Sequence, residues 1–332
     1  MTRPKAKETL TVDDVVAWFA QELRRGGSCK AWPTSESSSL QDAHLRLSAG
    51  LASKLVRKKW LEKSDPKRGS VYYSLTLEGL EAVRGLGTLP EFDPQEVISY
   101  LRETILFKPS RKIDHQTAIP SIYRPGSSPW IFVLGENASG KSLFRRVFRQ
   151  LVHPGKAASF GNSEFPAGPF PVSECITSSM EARTSSSLGA AFVYGNEGYS
   201  STGEISSSST MKAVRACFER RHFHVACLDE PDLGTSSGAS AGLGAWLVAR
   251  MPLSPFTRAI VITTHSPSLV EAMLPLDPHY VYLGDPNGPA TLADWLEEQQ
   301  HPRRVDPETL STLARDRFRL IQKVLDDGNK KK

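Results

Sequence analysis

Apolar side chains recur at helical spacing near the start of the chain, from Val12 to Leu23. This spacing predicts an amphipathic helix, with Thr11 or Asp13 as its N-cap. A polar, serine-rich stretch then interrupts the pattern. The leucines and the valine between residues 45 and 56 predict one or two further helices.

The next segment, KKWLEKSDPKRGSVYYSLTLEGL, has the pattern of a hairpin followed by a helix. Trp60 and Leu61 can form one short strand and VYYSL a second, with a basic turn between them. Thr76 is placed to cap the helix that follows. We therefore predict a small α+β domain over residues 1–90, followed by a helix and connector over residues 91–128.

Four apolar runs, WIFVLG, HVACLD, AIVITT and YVYLG, lie in the second part of the chain. Each has the length of a buried strand, and helical or loop sequence separates one run from the next, as in an α/β sheet with crossovers. We predict an α/β domain over residues 129–325 and a basic tail over residues 326–332. The stretch from 155 to 210 is rich in Ser, Gly and Pro, which indicates functional loops rather than a linker.

The composition of the chain narrows the classes of function. Its 332 residues contain no apolar run of about 18 residues and begin without a secretory signal, so we expect a cytoplasmic protein without a membrane partner. The four cysteines are scattered, which argues against a zinc ribbon or a disulfide framework. The net charge of +5 fits a polyanionic partner, although many nucleotide-binding proteins share such a balance.

The segment GENASGKS follows the first apolar run and precedes the helical pattern SLFRRVFRQLV. It matches GxxxxGK[ST], in which backbone N–H groups surround phosphates, the lysine reaches the outer phosphates and the hydroxyl holds magnesium. We therefore expect ATP and Mg²⁺ as ligands, and the alternative is a glycine turn without nucleotide. The candidate nucleotide-binding residues are Gly135, Asn137, Ser139, Gly140, Lys141 and Ser142.

Two further strand ends carry polar side chains. HVACLDEPD brings Asp229 and Glu230 to the end of a strand, where Asp229 can organise magnesium and Glu230 can polarise an attacking water. AIVITTHSPSLV ends a strand at His265, which can hydrogen-bond a terminal phosphate. Acidic pairs and single histidines are also common as structural residues. Their occurrence in one chain with the GENASGKS segment is what favours a catalytic role. The candidate catalytic residues are Lys141, Glu230 and His265, and the candidate metal ligands are Ser142 and Asp229.

The order of GENASGKS, CLDEPD and TTHSPSL resembles the ATP-binding cassette (ABC) superfamily of P-loop ATPases. The resemblance implies that LDEPD is the Walker B motif with the start of the D-loop, and that His265 is the switch histidine. The family also carries a signature sequence that completes the active site of a partner copy. YSSTGEISSSST resembles its SMC-like form, with Ser201 and Gly203 at the phosphate. An ATP-sandwiched homodimer is therefore expected, and the alternative is a serine-rich loop without this role.

Three features of the chain depart from the ABC pattern. ABC proteins carry a glutamine in a segment called the Q-loop, between the phosphate-binding loop and the signature. No glutamine lies between Val152 and His224 of this chain, so that residue is unassigned. The interval between the lysine loop and the signature is too short for coiled-coil arms. The aromatic residue that would stack on adenine is also unassigned, with Tyr123 as a candidate.

The N-terminal pattern resembles the winged-helix domain of bacterial regulators of the MarR and ArsR type. In that interpretation residues 53–59 lie on or just after the recognition helix, and residues 63–68 lie on the wing. The resemblance implies binding to DNA phosphates, and the alternative is a protein-docking or dimerising module with a solvated basic face. The candidate nucleic-acid-binding residues are Arg57, Lys58, Lys67 and Arg68.

These patterns together favour an ABC-type ATPase that converts ATP and water to ADP and phosphate. It would work as an ATP-sandwiched dimer switch, with the winged helix on DNA or on an effector protein. By analogy with the family, its setting is genome maintenance, mobile-element biology or antiphage defence. An ATP-responsive transcription regulator is the alternative. The nucleotide-binding subunit of a transporter is less favoured, because the glutamine is missing and the signature is SMC-like.

Overall fold

A computed structural model describes most of the chain in two compact units. One unit comprises Met1–Glu91, Pro171–Glu174 and Arg220–Phe223, and the other comprises the remaining segments between Phe92 and Lys332. No helix among the described residues has both the length and the apolar composition of a membrane span. The described residues are 10–24, 30–33, 45–64, 72–84, 92–104, 106–107, 119–152, 172, 174–179, 201–250, 253–301, 304 and 306–330.

The first helix of the smaller unit, α1 (Val12–Arg24), forms as its apolar spacing predicts. Its cap is Thr11, whose backbone N–H donates to Asp14 Oδ2 at 2.7 Å. In return the Asp14 N–H donates to Thr11 Oγ1 at 3.2 Å. The apolar face of the helix buries Val15 and Phe19. Reciprocal capping and one buried face therefore explain why the helix begins and packs as it does.

Four short strands of this unit form a sheet with the order β2–β1–β4–β3. The strand β1 is parallel to β2, while β4 lies antiparallel to both β1 and β3. The pair β3 and β4 is the hairpin that the sequence predicts. The bounds of the strands are Lys30–Pro33 for β1, Leu45–Leu47 for β2, Leu61–Lys63 for β3 and Tyr73–Leu75 for β4.

One helix forms in the segment where the apolar residues between 45 and 56 predict one or two, but Leu45–Leu47, which that prediction included, is a strand. Alternation about Arg46 has the period of a strand, and the pairing of Ala31 with Leu45 stabilises it. The helix α2 (Ala49–Arg57) begins only after Ser48, whose hydroxyl accepts from the Leu51 N–H at 3.3 Å. Two apolar residues in a three-residue segment are too few to distinguish a strand from a helix by period alone.

The helix α3 (Leu77–Arg84) follows the hairpin and confirms the predicted cap at Thr76. The hydroxyl of Thr76 accepts a hydrogen bond from the Gly79 N–H at 3.1 Å. The side chains of Leu80 and Val83 are buried on the inner face of the helix. The smaller unit is therefore a mixed α/β assembly of three helices and four strands among its described residues.

The larger unit is built on a six-stranded sheet with the order β5–β10–β6–β9–β8–β7. Neighbouring strands from β10 to β8 run parallel, and β5 is antiparallel to β10. The four apolar runs of the sequence are the four parallel strands. The bounds are Ser121–Arg124 for β5, Trp130–Leu134 for β6, Glu174–Ser178 for β7, His224–Asp229 for β8, Thr257–Thr263 for β9 and His279–Leu283 for β10.

Helices pack against this sheet and bury apolar side chains in the core of the unit. The helix after β6 buries Phe144, Val147 and Phe148, which lie on one stripe at helical spacing. The final helix extends into the predicted basic tail, as far as Lys330. The bounds are Pro94–Arg102 for α4, Lys141–Val152 for α5, Thr202–Glu219 for α6, Ser237–Val248 for α7, Pro267–Met273 for α8, with a 3₁₀ turn at Leu274–Leu276, Leu292–Gln300 for α9 and Pro307–Lys330 for α10.

The topology gathers several strand ends at one edge of the sheet. Because β6, β9 and β8 are adjacent and parallel, their carboxyl ends lie side by side. Asp229, the last residue of β8, pairs with Thr263, the last residue of β9. Ligands of open α/β sheets bind at this edge, so the loop after β6 and the residues after β8 and β9 are placed for a common site.

Candidate functional site

The segment GENASGKS forms a tight loop between β6 and α5, and neither of its two glycines leaves room for a side chain. Gly135 has φ of 142°, and a Cβ there would lie 2.4 Å from the carbonyl oxygen of Leu283. Gly140 has φ of 103°, and its Cβ would lie 2.3 Å from the Ile119 side chain. Ala138 also adopts a left-handed φ of 60°. The loop conformation therefore depends on glycine at both ends.

Lys141, the first residue of α5, is a buried cation that lies against its own loop. Its Nζ donates to the carbonyl oxygens of Gly135 at 2.8 Å and Glu136 at 3.0 Å. Burial lowers the pKa of Lys141 to about 8, and the nearby carboxylates of Glu230, Glu136 and Asp229 oppose that shift. The ammonium is thus within electrostatic reach of both acidic residues predicted at the end of β8.

Asp229 is held by two side chains at the end of β8. Its Oδ2 forms an ion pair with Nη1 of Arg145 at 3.1 Å, and its Oδ1 accepts from the Thr263 hydroxyl at 2.5 Å. The ion pair is largely shielded from solvent, because the Arg145 side chain is 6% exposed and the Asp229 side chain is 15% exposed. Sequence reasoning missed Arg145, although its position four residues after Lys141 places both on one face of α5.

Glu230 lies directly after β8 in a strained conformation. Its φ is 48°, in the left-handed region that costs a non-glycine residue roughly 1–3 kcal/mol. Its backbone N–H donates to the Thr263 carbonyl at 2.8 Å, and its own carbonyl accepts from the Leu233 N–H at 3.1 Å. These two hydrogen bonds hold the turn, so the half-buried side chain of Glu230 starts from a fixed backbone near Lys141.

His265 follows β9 and also lies near Lys141. Loss of hydration, and then the charge of Lys141, lower the pKa of His265 to about 4, although part of the side chain faces solvent. The imidazole is therefore neutral at pH 7. The preceding hydroxyl, that of Thr264, donates to Asp232 Oδ1 at 2.9 Å and so joins the end of β9 to the turn after Glu230.

The structure thus brings together four predicted site residues, Lys141, Asp229, Glu230 and His265, at the carboxyl edge of the sheet. The remaining predicted residues of the loop differ in exposure. Asn137 and Ser142 are exposed, whereas Ser139 is 1% exposed and its hydroxyl has no hydrogen-bond partner among the described residues. An unsatisfied buried hydroxyl costs free energy, so Ser139 is the loop residue with most to gain from a ligand.

The two signature residues, Ser201 and Gly203, lie at the start of α6. Ser201 forms a capping box with Glu204: the Ser201 N–H donates to Oε2 of Glu204 at 2.9 Å, and the Glu204 N–H donates to the Ser201 hydroxyl at 3.3 Å. Gly203 is buried, and a Cβ there would lie 2.5 Å from the carbonyl oxygen of Gly234. The start of α6 therefore packs on the loop that follows Glu230. The role of Ser201 and Gly203 in the nucleotide site of a second copy stays a prediction.

Arg317, in the middle of α10, contacts the glycine loop from the far end of the sequence. Its Nη1 donates to the carbonyl oxygen of Ala138 at 2.9 Å, and its Nη2 donates to that of Gly284 at 2.8 Å. Sequence reasoning missed this residue, because no local pattern links it to the loop.

Tyr123, the candidate for adenine stacking, lies on β5 opposite Val281. Its ring stacks on His279 with centroids 6.1 Å apart, and its hydroxyl is 2.9 Å from His279 Nδ1. Burial raises the pKa of Tyr123 to about 12. A role in adenine binding stays a prediction.

Two of the four candidate nucleic-acid contacts lie in the described part of the smaller unit. Arg57 ends α2 and is exposed, and Lys58 is exposed with its ammonium 4.5 Å from the centroid of the Trp60 ring. Lys67 and Arg68 lie outside the described residues. The positions of Arg57 and Lys58 are accessible to a polyanion, and DNA binding stays a prediction.

Comparison of the chain with protein-family models, with curated proteins and with solved structures gave no match. Among the described residues, no group of three or more His, Cys, Asp and Glu side chains is placed to hold a metal ion. The function of the site is therefore inferred from its own geometry and charges.

Proposed function

We propose that the chain binds ATP with magnesium at the loop of residues 135–142 and hydrolyses it to ADP and phosphate. The observation that carries this proposal is the buried cation Lys141, which lies within electrostatic reach of Asp229, Glu230 and His265 at the carboxyl edge of a parallel sheet. A glycine loop that precedes a helix N-terminus is the kind of element that binds phosphate.

Phosphate binding would use groups that the loop already presents. Lys141 donates to two carbonyl oxygens of its own loop, and a phosphate is a stronger acceptor that can compete with Gly135 and Glu136 for the ammonium. The first turn of α5 adds backbone N–H groups and the positive end of the helix dipole. The buried hydroxyl of Ser139 supplies a further donor.

Ser142 and Asp229 are the side chains that would hold magnesium at the site. Ser142 has an exposed hydroxyl at the start of α5, whereas both carboxylate oxygens of Asp229 are engaged by Arg145 and Thr263. Ser142 would therefore hold the ion, and Asp229 would contribute its negative charge beside it. Bound magnesium would neutralise charge on the outer phosphate oxygens.

Hydrolysis would place Glu230 and His265 around the terminal phosphate. The Glu230 carboxylate orients a water and accepts its proton as the oxygen attacks the γ-phosphorus, and the bond to the bridging oxygen of ADP breaks. The neutral imidazole of His265 donates a hydrogen bond to a γ-phosphate oxygen, and Lys141 holds the charge that develops. The fixed turn at Glu230 keeps the base in position.

A second copy would complete the site through Ser201 and Gly203 at the start of α6, so that ATP closes a homodimer. Support comes from the packing of α6 on the loop after Glu230, since this contact couples the helix start to the catalytic turn. The exposed basic residues Arg57 and Lys58 support a winged helix that engages DNA, with an effector protein as the other partner. An ATP-responsive transcription regulator remains the second candidate.

Two substitutions test the proposed ATPase. Lys141→Ala should abolish ATP binding, measured by isothermal titration calorimetry with MgATP. Glu230→Gln should keep binding and accumulate an ATP-dependent dimer, measured by light scattering, because the water is no longer activated. Arg146→Ala, which removes an exposed side chain of α5, is the matched control. If Glu230→Gln stays monomeric with bound MgATP, the dimer mechanism is wrong.

A further inference from the structure

We propose that Arg317 is a positioning residue for the glycine loop, which makes the C-terminal helix α10 part of the nucleotide site. This inference rests on the proposed nucleotide binding. Its basis is the pair of hydrogen bonds from one guanidinium to two backbone carbonyls, at 2.9 Å to Ala138 and at 2.8 Å to Gly284.

The bond to Ala138 controls the direction of one peptide plane in the loop. In a trans peptide the carbonyl of Ala138 and the N–H of Ser139 point in opposite directions. Arg317 holds the carbonyl on one side, and on the other the Ser139 N–H donates to the Glu136 carbonyl at 3.1 Å. Ala138 has a left-handed φ, a backbone conformation that a non-glycine residue keeps only when surrounding contacts stabilise it. The hydrogen bond from Arg317 is one of these contacts.

The bond to Gly284 joins the loop to the neighbouring strand. Gly284 follows β10, which is paired with β6 through Tyr282 and Leu134. A Cβ on Gly284 would lie 2.8 Å from Nη2 of Arg317 and 3.0 Å from Cβ of Ser139, so the three groups are packed closely. Arg317 therefore ties the loop to the end of a second strand, in addition to its covalent link to β6.

The geometry requires arginine rather than any cation. A planar guanidinium has separate N–H groups that can donate to two carbonyls in fixed directions, whereas an ammonium is a point charge on a flexible stem. The half-buried guanidinium also lies near Glu136 and contributes to the lowered pKa of Lys141. Two cations thus contact the loop, Lys141 from its own segment and Arg317 from the C-terminal helix.

The same helix supplies a matched control. Arg319 lies two residues further along α10, and its side chain is 71% exposed with a 3.7 Å contact to the exposed Asp316. Removal of Arg319 changes the charge of the chain by the same amount as removal of Arg317, but it leaves the loop untouched.

The test compares Arg317→Ala, Arg317→Lys and Arg319→Ala by calorimetric titration with MgADP and by steady-state ATP hydrolysis. Because a positioned loop is needed for binding and Arg317 touches no reacting atom, Arg317→Ala should weaken MgADP binding about tenfold and raise KM for ATP while kcat changes less than twofold. Arg317→Lys should recover part of the affinity, and Arg319→Ala should match the wild type.

The outcomes separate the inference from the proposed function. If the wild-type protein binds neither MgADP nor MgATP, the proposed function fails and this inference fails with it. If the wild type binds and Arg317→Ala binds equally well, Arg317 has no positioning role although the ATPase proposal stands. A fall in melting temperature with unchanged KM would likewise overturn the inference, since it identifies a purely structural contact. If Arg317→Ala does not fold, the comparison of Arg317→Lys with Arg319→Ala decides.

Discussion

The ion pair between Arg145 and Asp229 offers a direct test of how the carboxyl end of β8 is stabilised. The Arg145→Met variant keeps much of the buried aliphatic stem but removes the charge and the 3.1 Å contact. Asp229 is then a carboxylate that is 15% exposed and that has lost its cationic partner. The cost should come from the desolvation of a charge that has lost its ion-pair partner.

The magnitude follows from burial and from the contacts that remain. Removing one partner of a buried ion pair costs about 3–5 kcal/mol. Asp229 keeps its hydrogen bond from the Thr263 hydroxyl and lies near Lys141, so we expect a loss of about 2–3 kcal/mol in the free energy of unfolding. Combining Arg145→Met with Asp229→Asn should cost less than the sum of the single variants by about 1 kcal/mol or more.

The assay is urea unfolding at pH 7 followed by far-UV circular dichroism. Because a chain with two compact units need not unfold in one step, hydrogen–deuterium exchange of the peptide that contains β8 assigns the loss to the larger unit. The control is Arg146→Met, which changes an exposed residue of the same helix. If Arg145→Met costs no more than Arg146→Met, or if the double variant is additive, the ion pair does not stabilise the end of β8.

Three further predictions concern protonation, thiol reactivity and DNA. Since burial lowers the pKa of Lys141 to about 8 and bound phosphate must raise it, MgATP binding should take up a proton near pH 8, and affinity should fall as the pH rises through that value. Calorimetry in buffers of different ionisation enthalpy measures this uptake, and binding without uptake contradicts it. The hydrogen bond with Cys175 and burial raise the pKa of Cys227, so iodoacetamide at pH 8 should label half-buried Cys175 much faster, and equal labelling by peptide mass spectrometry refutes this. Reversing the charge of the four candidate nucleic-acid-binding residues should weaken DNA binding and flatten its salt dependence; these are Arg57, Lys58, Lys67 and Arg68. Unchanged binding by fluorescence anisotropy would favour protein docking.

The amino-acid pattern alone located most of the elements that carry the site. Four apolar runs became the parallel strands β6, β8, β9 and β10, because a continuous buried run leaves few alternatives in an α/β sequence. The caps at Thr11 and Thr76 were also readable, since side-chain capping is decided within four residues. The short strand at Leu45–Leu47 was not predicted, because it depends on pairing with Ala31 in a separate segment of the chain.

The tertiary structure decided which groups meet. The order β6–β9–β8 places Asp229 and Glu230 near Lys141, and no local pattern fixes that order. The partner of Asp229 is on α5, and the arginine that holds the loop is on α10, 179 residues away from Ala138. Periodicity and capping are properties of neighbouring residues, whereas an ion pair or a bridging arginine depends on strand order, helix packing and burial, which exist only once the chain has folded.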